Sequence, residues 1–339
     1  MSAPVRRPTI RDIALAAGVS KASVSYALNG GPGVSAATRE RVLAVAAQLG
    51  WRPSAAARSL SHARAHAVGL ALARDVRLLG EEPYYMRFIS GMEAVLAAEG
   101  TSLLLTVVPD VDTAVEVLRT WWAERRVDGV VLTDLLVDDP RLAAVRETGV
   151  PCVLRGGPGD VRGPQVAAAP EDHRQAFTDV VEHLLARGHR RLARVSGPPS
   201  FAHTRRRDEA WARVTARLVG RAEPVVVADY SGAGGVAAVR DLLTREHPPT
   251  AVVFDNDVMA ATVVAERAAL GVSVPGDLAV VAGDDSLLCR LATPAITSLR
   301  RDVVADGAVS ARLLLDLLAG RDPGPVGPGT RDLVVRAST

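Results

Sequence analysis

The sequence predicts a small all-helical head joined to a two-lobed α/β body of doubly wound parallel sheets. Three observations carry this. Residues 9–50 hold apolar positions at helical spacing in three short runs, punctuated by Gly18, Gly30 and Gly50. From Ala67 onward, short continuous Val/Leu runs alternate with helical periods, the pattern of strands covered on both faces. That rhythm restarts near residue 172, which predicts a second lobe and a cleft between the two. At 339 residues the chain has room for such a plan.

In the head, Thr9 is expected to cap a first helix, and Asp12 can answer the free amides of its first turn. Ile10, Ile13, Ala14 and Ala17 share one face, and Gly18 supplies a left-handed end. Ser20 caps a second helix with Val24, Ala27 and Leu28 as its apolar stripe, stopped at Asn29-Gly30. Helix, glycine turn and helix make the helix-turn-helix pattern, whose second helix lies in the DNA major groove. Any pair of small packed helices would show the same apolar spacing, but two features favour DNA. The outer face of the second helix carries Lys21, Ala22, Ser23, Ser25 and Tyr26, small or hydrogen-bonding groups that allow close approach to base edges. Residues 1–66 also hold eight arginines and Lys21 against Asp12 and Glu40. That is a net +7 in a chain of net +2, leaving −5 for the rest.

After the Gly30–Gly33 loop, Ser35 is expected to cap a third helix over 36–49, with Val42, Leu43, Ala46 and Leu49 turned inward. Arg52-Pro53 breaks it. Ser54–Ser61 has helical propensity but spans only about two turns, too few to be stable alone in water, so it needs a partner to fold. His62–His66 completes a linker; His62 and His66 have no third ligand nearby and read as solvated.

In the body, strands are expected at 68–73, 103–108, 129–132, 150–154, 192–195, 225–227, 251–254, 278–281 and 332–335. Helices are expected at 84–100, 113–126, 141–148, 172–187, 205–219, 234–245, 258–270 and 303–319. Lysine is almost absent and arginine abundant, which reads as base-composition bias in the genome. Cys152 and Cys289 are far apart and form no C-x-x-C pattern, which fits a reducing cytosol and implies neither disulfide nor zinc. The basic N-terminus leads into no apolar segment, and no apolar run is long enough to cross a membrane, so a cytoplasmic protein is expected.

The head resembles the LacI/GalR transcription factors through Thr9–Ala14, Ala17–Ser20, Val24-Ser25, Leu28-Asn29, Val34-Ser35, Thr38-Arg39, Val42, Pro53 and Ala57–Leu60. The body resembles them through Gly188–Arg191, Asn256–Ala260, Val274–Leu278, Gly283–Asp285, Thr293–Ser298 and Val334–Thr339. The resemblance spans nearly the whole chain and implies a DNA-binding head, 1–52, a hinge helix and linker, 53–66, and a two-lobed effector-binding and dimerisation body, 67–339, like a periplasmic sugar-binding protein. It implies a homodimeric regulator, most simply a repressor, on a pseudo-palindromic double-stranded operator, with a small-molecule effector of carbohydrate type. It implies no catalytic residue, cofactor or metal.

By position, Lys21, Ala22 and Tyr26 correspond to base-reading residues; arginine is common where Tyr26 stands, and a tyrosine cannot make arginine's bidentate contact with guanine. Ser20, Ser23, Asn29 and Ser35 can donate to phosphates. Ala57, Arg58 and Leu60 fall on the hinge helix, with Leu60 the apolar wedge of the minor groove. In the body, Arg207, Asn256 and Asp284 correspond to effector ligands; a guanidinium, an amide and a carboxylate together suit a polyhydroxylated molecule. Arg207 and Asp284 could instead pair with each other. Asp257 and Asp285 are expected to support or cap. Two departures stand out: Ala210 in Arg207–Trp211 replaces a usual glycine, and Ala282-Gly283 stands where glycine and an aromatic ring are usual. Tyr85 and Phe88, with Tyr84, could supply an aromatic face instead, and at helical spacing could equally be core.

Two rival functions remain. Gly232–Ala237 matches G-x-G-x-x-[GA] after a strand, with Asp255 about twenty residues on, as in an NAD-binding oxidoreductase. Its place in mid-lobe and the unexplained head count against it. A sugar-binding protein without DNA function is opposed by the basic head.

Overall fold

The computed structural model describes residues 8–29, 31, 33–51, 64–158, 161 and 163–339, the side chain of Asn29 aside. The chain divides into two units, Met1–Ala65 and His66–Thr339.

The first unit holds α1 (Ile10–Ala17), α2 (Lys21–Asn29) and α3 (Ala36–Gln48). The Asp12 carboxylate accepts from the N–H and the hydroxyl of Thr9, each at 2.7 Å. Gly18 has φ 64° and closes α1. Ser20 and Ser35 accept from the amides of Ser23 and Thr38 at 3.0 and 3.3 Å. Ile13, Ala14, Ala17, Val24, Ala27, Val42 and Ala46 form the core. The expected inward face of α3 needs correction. Leu43 and Leu49 are exposed, at 47% and 40%. Leu43 lies about 100° round the helix from Val42, and Leu49 follows the last helical residue. Val45 and Trp51 flank the core instead, and the Trp51 amide donates to Ala46.

The second unit has two sheets. The first, in the order β2-β1-β3-β4-β5, comprises β1 (Ala67–Ala73), β2 (Ser102–Val108), β3 (Gly129–Leu132), β4 (Cys152–Arg155) and β5 (Val166–Ala169), all parallel. Around it run α4 (Val76–Glu81), α5 (Pro83–Ala98), α6 (Val111–Ala123) and α7 (Pro140–Thr148). The second sheet contains β6 (Leu192–Ser196), β7 (Val225–Val227), β8 (Ala251–Phe254), β9 (Ala279–Ala282), β10 (Thr297–Arg300) and β11 (Asp332–Val334), in the order β11-β10-β9-β8-β6-β7. Only β11 is antiparallel, with Leu333 opposite Leu299. The accompanying helices are α8 (Arg174–Ala186), α9 (Ala202–Val219), α10 (Gly232–Leu243), α11 (Asp257–Ala265), α12 (Leu287–Leu291) and α13 (Val303–Leu318).

Four of these elements carry no clear sequence signal. Helix α4 has six residues, too few to show a helical period. Strand β5 is Val-Ala-Ala-Ala, with little β propensity. Helix α12 has five residues, and β10 is Thr-Ser-Leu-Arg.

Helix α13 is last in sequence but packs into the first lobe's core with α5, beside Val68, Leu70 and Val131. Two glycines permit the contact: a Cβ at Gly91 would lie 1.9 Å from the Val304 carbonyl oxygen, and one at Gly307 2.0 Å from that of Phe88. The chain therefore crosses between lobes three times, at 170–173, 301–302 and 319–331.

Candidate functional site

On the head, the N-terminal end and outer face of α2 are open. Ser20, Lys21, Ala22 and Tyr26 are exposed, and Ser23 is half-buried. The Ser20 and Ser23 hydroxyls lie 2.9 Å apart. Tyr26 is held by its surroundings: its carbonyl accepts from the Gly31 amide at 2.9 Å, and its ring lies where a Cβ on Gly31 would be, at 2.8 Å. Arg39 of α3 donates to the Gly31 carbonyl at 3.0 Å. Ser35 is exposed at the start of α3. Asn29 is the last residue of α2. Ala57, Arg58 and Leu60 lie outside the described residues, as does most of the hinge segment 53–66.

In the body, the carboxyl ends of the strands from both sheets face one cleft with about 60 Å³ of free volume. Arg207, Asn256, Asp284 and Tyr85 line it. Arg207 projects from the first turns of α9, where its Nη1 is 3.5 Å from Asp255 Oδ2. Asn256 caps α11 by accepting from the Met259 amide at 3.0 Å. Its Nδ2 donates to the Tyr230 carbonyl at 2.9 Å and, across the cleft, to Glu82 Oε1 of the first lobe at 3.2 Å. Asp284 follows β9; its Oδ1 is 3.3 Å from Arg301 Nε and 3.7 Å from Arg331 Nη1, and is buried without a hydrogen-bond partner. Arg207 and Asp284 thus hold different partners.

The aromatic face differs from the one expected. Phe88 is fully buried among Leu70, Met92 and Leu314 and is not part of the cleft wall; one helical turn carries it past the opening into the core. Tyr85 lines the cleft but is 1% exposed, and its hydroxyl is bonded to Asp134. Tyr84 presents a ring, with the Arg301 guanidinium 4.7 Å above it. Tyr230 and His203 add the second lobe's rings, their side chains joined at 2.9 Å. No ring could stand at Gly283, where a Cβ would lie 2.3 Å from the Asp255 carbonyl oxygen. Asp257 and Asp285 stand back from the cleft: Asp257 opens α11, and Asp285 accepts from Ser298 and Arg336, each at 2.8 Å.

Sequence reasoning missed Arg74, Glu82, Asp134, Arg155, Glu171, Tyr230 and Arg301, all on the cleft wall. Four of them end or closely follow β1, β3, β4 and β5, where ligands of α/β sheets bind. Asp134 and Tyr230 hold left-handed backbone, φ 50° and 71°, unusual for residues with side chains. Burial opposes ionisation of Asp134, but Arg74 and His203 outweigh it and hold the carboxyl at about 2. Burial, with Arg207 beside it, pushes His203 down to about 3. Burial lifts Glu82 to about 7, against the pull of Arg74 and Asn256.

Glu82 makes stability depend on pH. Its folded value lies above the ordinary 4.5, so the cost of burying its charge is full above about pH 7 and disappears below 4.5. Relative to Glu82→Gln, the wild type is expected to gain about 1–3 kcal/mol as pH falls from 8 to 5. Denaturation midpoints at several pH values check this; a pH-independent difference would place the carboxylate in water.

The glycines of the dinucleotide-like motif do not cradle a phosphate. Ser231 caps α10 by accepting from the Gly234 amide, and the Asp229 carboxylate already sits at this helix end, bonded to Ser231. Gly232 and Gly235 let α10 approach α11, where a Cβ would meet Thr262 at 2.2 Å and Met259 at 2.8 Å. Asp255 is committed to Arg194 at 2.8 and 3.0 Å.

Residues 9–54 match the model for bacterial regulatory proteins of the lacI family, and residues 181–339 that for a periplasmic binding protein-like domain. The chain is 34% identical to the HTH-type transcriptional regulator CelR of Thermobifida fusca, over 95% of each chain. The chain belongs to the LacI family. It is likewise 34% identical to the regulator MalR of Streptomyces coelicolor, over 97% of this chain and 96% of that one. Among solved structures it resembles the lac repressor dimer bound to operator and the anti-inducer ONPF, with a TM-score of 0.84, 25% identity, and coverage of 98% of this chain and 99% of that one. It also resembles a CelR–cellobiose complex, with a TM-score of 0.74, 32% identity, and coverage of 98% and 100%. This LacI-family chain is a helix-turn-helix transcriptional regulator with a two-lobed body, and the oxidoreductase and DNA-free alternatives find no support among these relatives.

Proposed function

We propose that this regulator is a cytoplasmic homodimeric repressor that acts by binding, not catalysis, and whose operator affinity is set by a carbohydrate effector held between the lobes. The observation that carries the effector reading is the convergence of Arg207, Asn256 and Asp284, from three separate segments, on one polar cleft. A guanidinium, an amide and a carboxylate offer the mixed donors and acceptors that vicinal hydroxyls need. A similar solved structure is a complex of the transcriptional regulator CelR with cellobiose. Three leucines of the short α12, Leu287, Leu288 and Leu291, are 56%, 39% and 71% exposed, which favours burial against a second copy. We further propose a head at 1–52, a hinge at 53–66 that orders on operator through Ala57, Arg58 and Leu60, and a body at 67–339. Ser20, Ser23, Asn29 and Ser35 are assigned to phosphates. No cofactor or metal takes part.

A thermal-shift screen of neutral mono- and disaccharides, sugar phosphates and nucleosides tests the effector reading, because a ligand that binds only the folded state raises its melting temperature. A shift with a sugar supports the reading; a shift confined to nucleosides replaces it.

The DNA arm is tested at Lys21, which opens the recognition helix and is exposed. On a duplex selected from a random pool, Lys21→Ala is expected to lose about 1–3 kcal/mol of discrimination, with the salt dependence of nonspecific binding little changed. Parallel losses of specific and nonspecific affinity would make Lys21 a phosphate contact and leave base reading to Ala22 and Tyr26.

A further inference from the structure

Every crossover between the lobes brings a charged side chain to one buried cluster. Glu171 lies on the first crossover, Arg301 on the second and Arg331 on the third. Glu171 Oε1 takes Arg155 Nη2 at 3.0 Å and Arg301 Nη1 at 2.9 Å. Its Oε2 faces His173 at 3.4 Å and Arg331 Nη2 at 3.7 Å. A backbone bridge pairs Glu171 with Gly329, tying the first crossover to the third. All these side chains are 10% exposed or less. Burial opposes the Glu171 charge, but the arginines outweigh it and keep the carboxyl well below its usual range. Burial, with Arg207 and Arg331 nearby, keeps His173 neutral, so it does not compete as a cation.

Arg301 and Arg331 are shared. Each also faces Asp284, at 3.3 and 3.7 Å, but neither contact is a hydrogen bond. Two arginines therefore lie between two carboxylates of the cleft wall, Glu171, which also spans the crossovers, and Asp284. A hydroxyl bonded to Asp284 weakens that residue's hold on both guanidiniums and leaves Arg301 to Glu171 and, at 3.8 Å, Asp306, and Arg331 to Glu171 and the Gly283 carbonyl, to which it donates at 2.8 Å. Charge pairs at this depth add little net stability, because desolvation offsets attraction; they define which arrangement is held.

We propose that Glu171 is a positioning residue that couples occupancy of the cleft to the angle between the lobes, through Arg301 and Arg331. This rests on the reading of the cleft as the effector site, and its test needs no ligand. Cys152 and Cys289 are buried, so spin labels go to Thr120→Cys on α6 and Ala216→Cys on α9, both exposed, one in each lobe. The full-length labelled chain is diluted with unlabelled chain, and the inter-lobe distance distribution is measured by double electron–electron resonance.

Asp284→Asn, which releases the arginines as a ligand would, is expected to narrow the distribution. Glu171→Gln is expected to broaden it and shift it to longer distances, and Asp284→Asn added to Glu171→Gln should produce no further change. Glu171→Asp, which keeps the charge, should restore most of the wild-type distribution, a rescue that a purely structural role does not predict. An unchanged distribution in either single variant, or additive shifts, overturns the proposal. Should Glu171→Gln not fold, Arg331→Gln takes its place, and Asp284→Asn must lose most of its effect in that background or the proposal fails. A cleft that binds no sugar leaves these distances as they are, so the two readings fail separately.

Discussion

Replacing Arg194 by alanine is expected to destabilise the body by about 3–5 kcal/mol, the usual cost of leaving a buried charge without its partner. Arg194 stands on β6 with no exposure. Its Nε and Nη2 meet the two oxygens of Asp255 at 2.8 and 3.0 Å, and its Nη1 bonds to Asp208. The Phe177 ring lies 5.4 Å from the guanidinium. Without it, Asp255 keeps the Gly197 amide at 3.3 Å and Arg207 at 3.5 Å while remaining 4% exposed. Asp208 is 35% exposed on its side chain and can turn to water. Urea denaturation of the full chain, followed through Trp211 in the body core, reads the loss. A change below about 1 kcal/mol would mean that water fills the site and satisfies Asp255.

Replacing Arg207 by alanine is expected to abolish the response to effector while leaving operator binding and most of the body's stability intact. Arg207 shares Asp255 with Arg194, but at 3.5 Å and without the fork-to-fork geometry. Asp255 therefore keeps its main partner when Arg207 is lost, and the contrast with Arg194 separates a ligand-facing guanidinium from a structural one. The sugar that raises the wild-type melting temperature should raise that of Arg207→Ala little or not at all. Affinity for the selected duplex without sugar should stay within about twofold, a difference of roughly 0.4 kcal/mol. An equal response of both proteins to the sugar would remove Arg207 from the effector site.

The chain determines a good deal by itself. The caps at Thr9, Ser20 and Ser35, the glycine turn at Gly18 and the strands at 129–132, 225–227 and 251–254 are local features, set by backbone propensity and apolar period, and they stand where the sequence places them. Arg207, Asn256 and Asp284, which the resemblance to the LacI/GalR family singles out, line the cleft. Leu43 and Phe88 show the limit of periodicity: a stripe identifies apolar residues but cannot tell which edge of it faces the core and which an opening. Only the tertiary structure decided that α13 belongs with the first lobe and that Glu171, Arg301 and Arg331, up to 160 residues apart, meet in one cluster. No local signal predicts such a meeting. It follows from three chain crossings, and a buried charge acquires its role from whichever partners the crossings bring within about 4 Å.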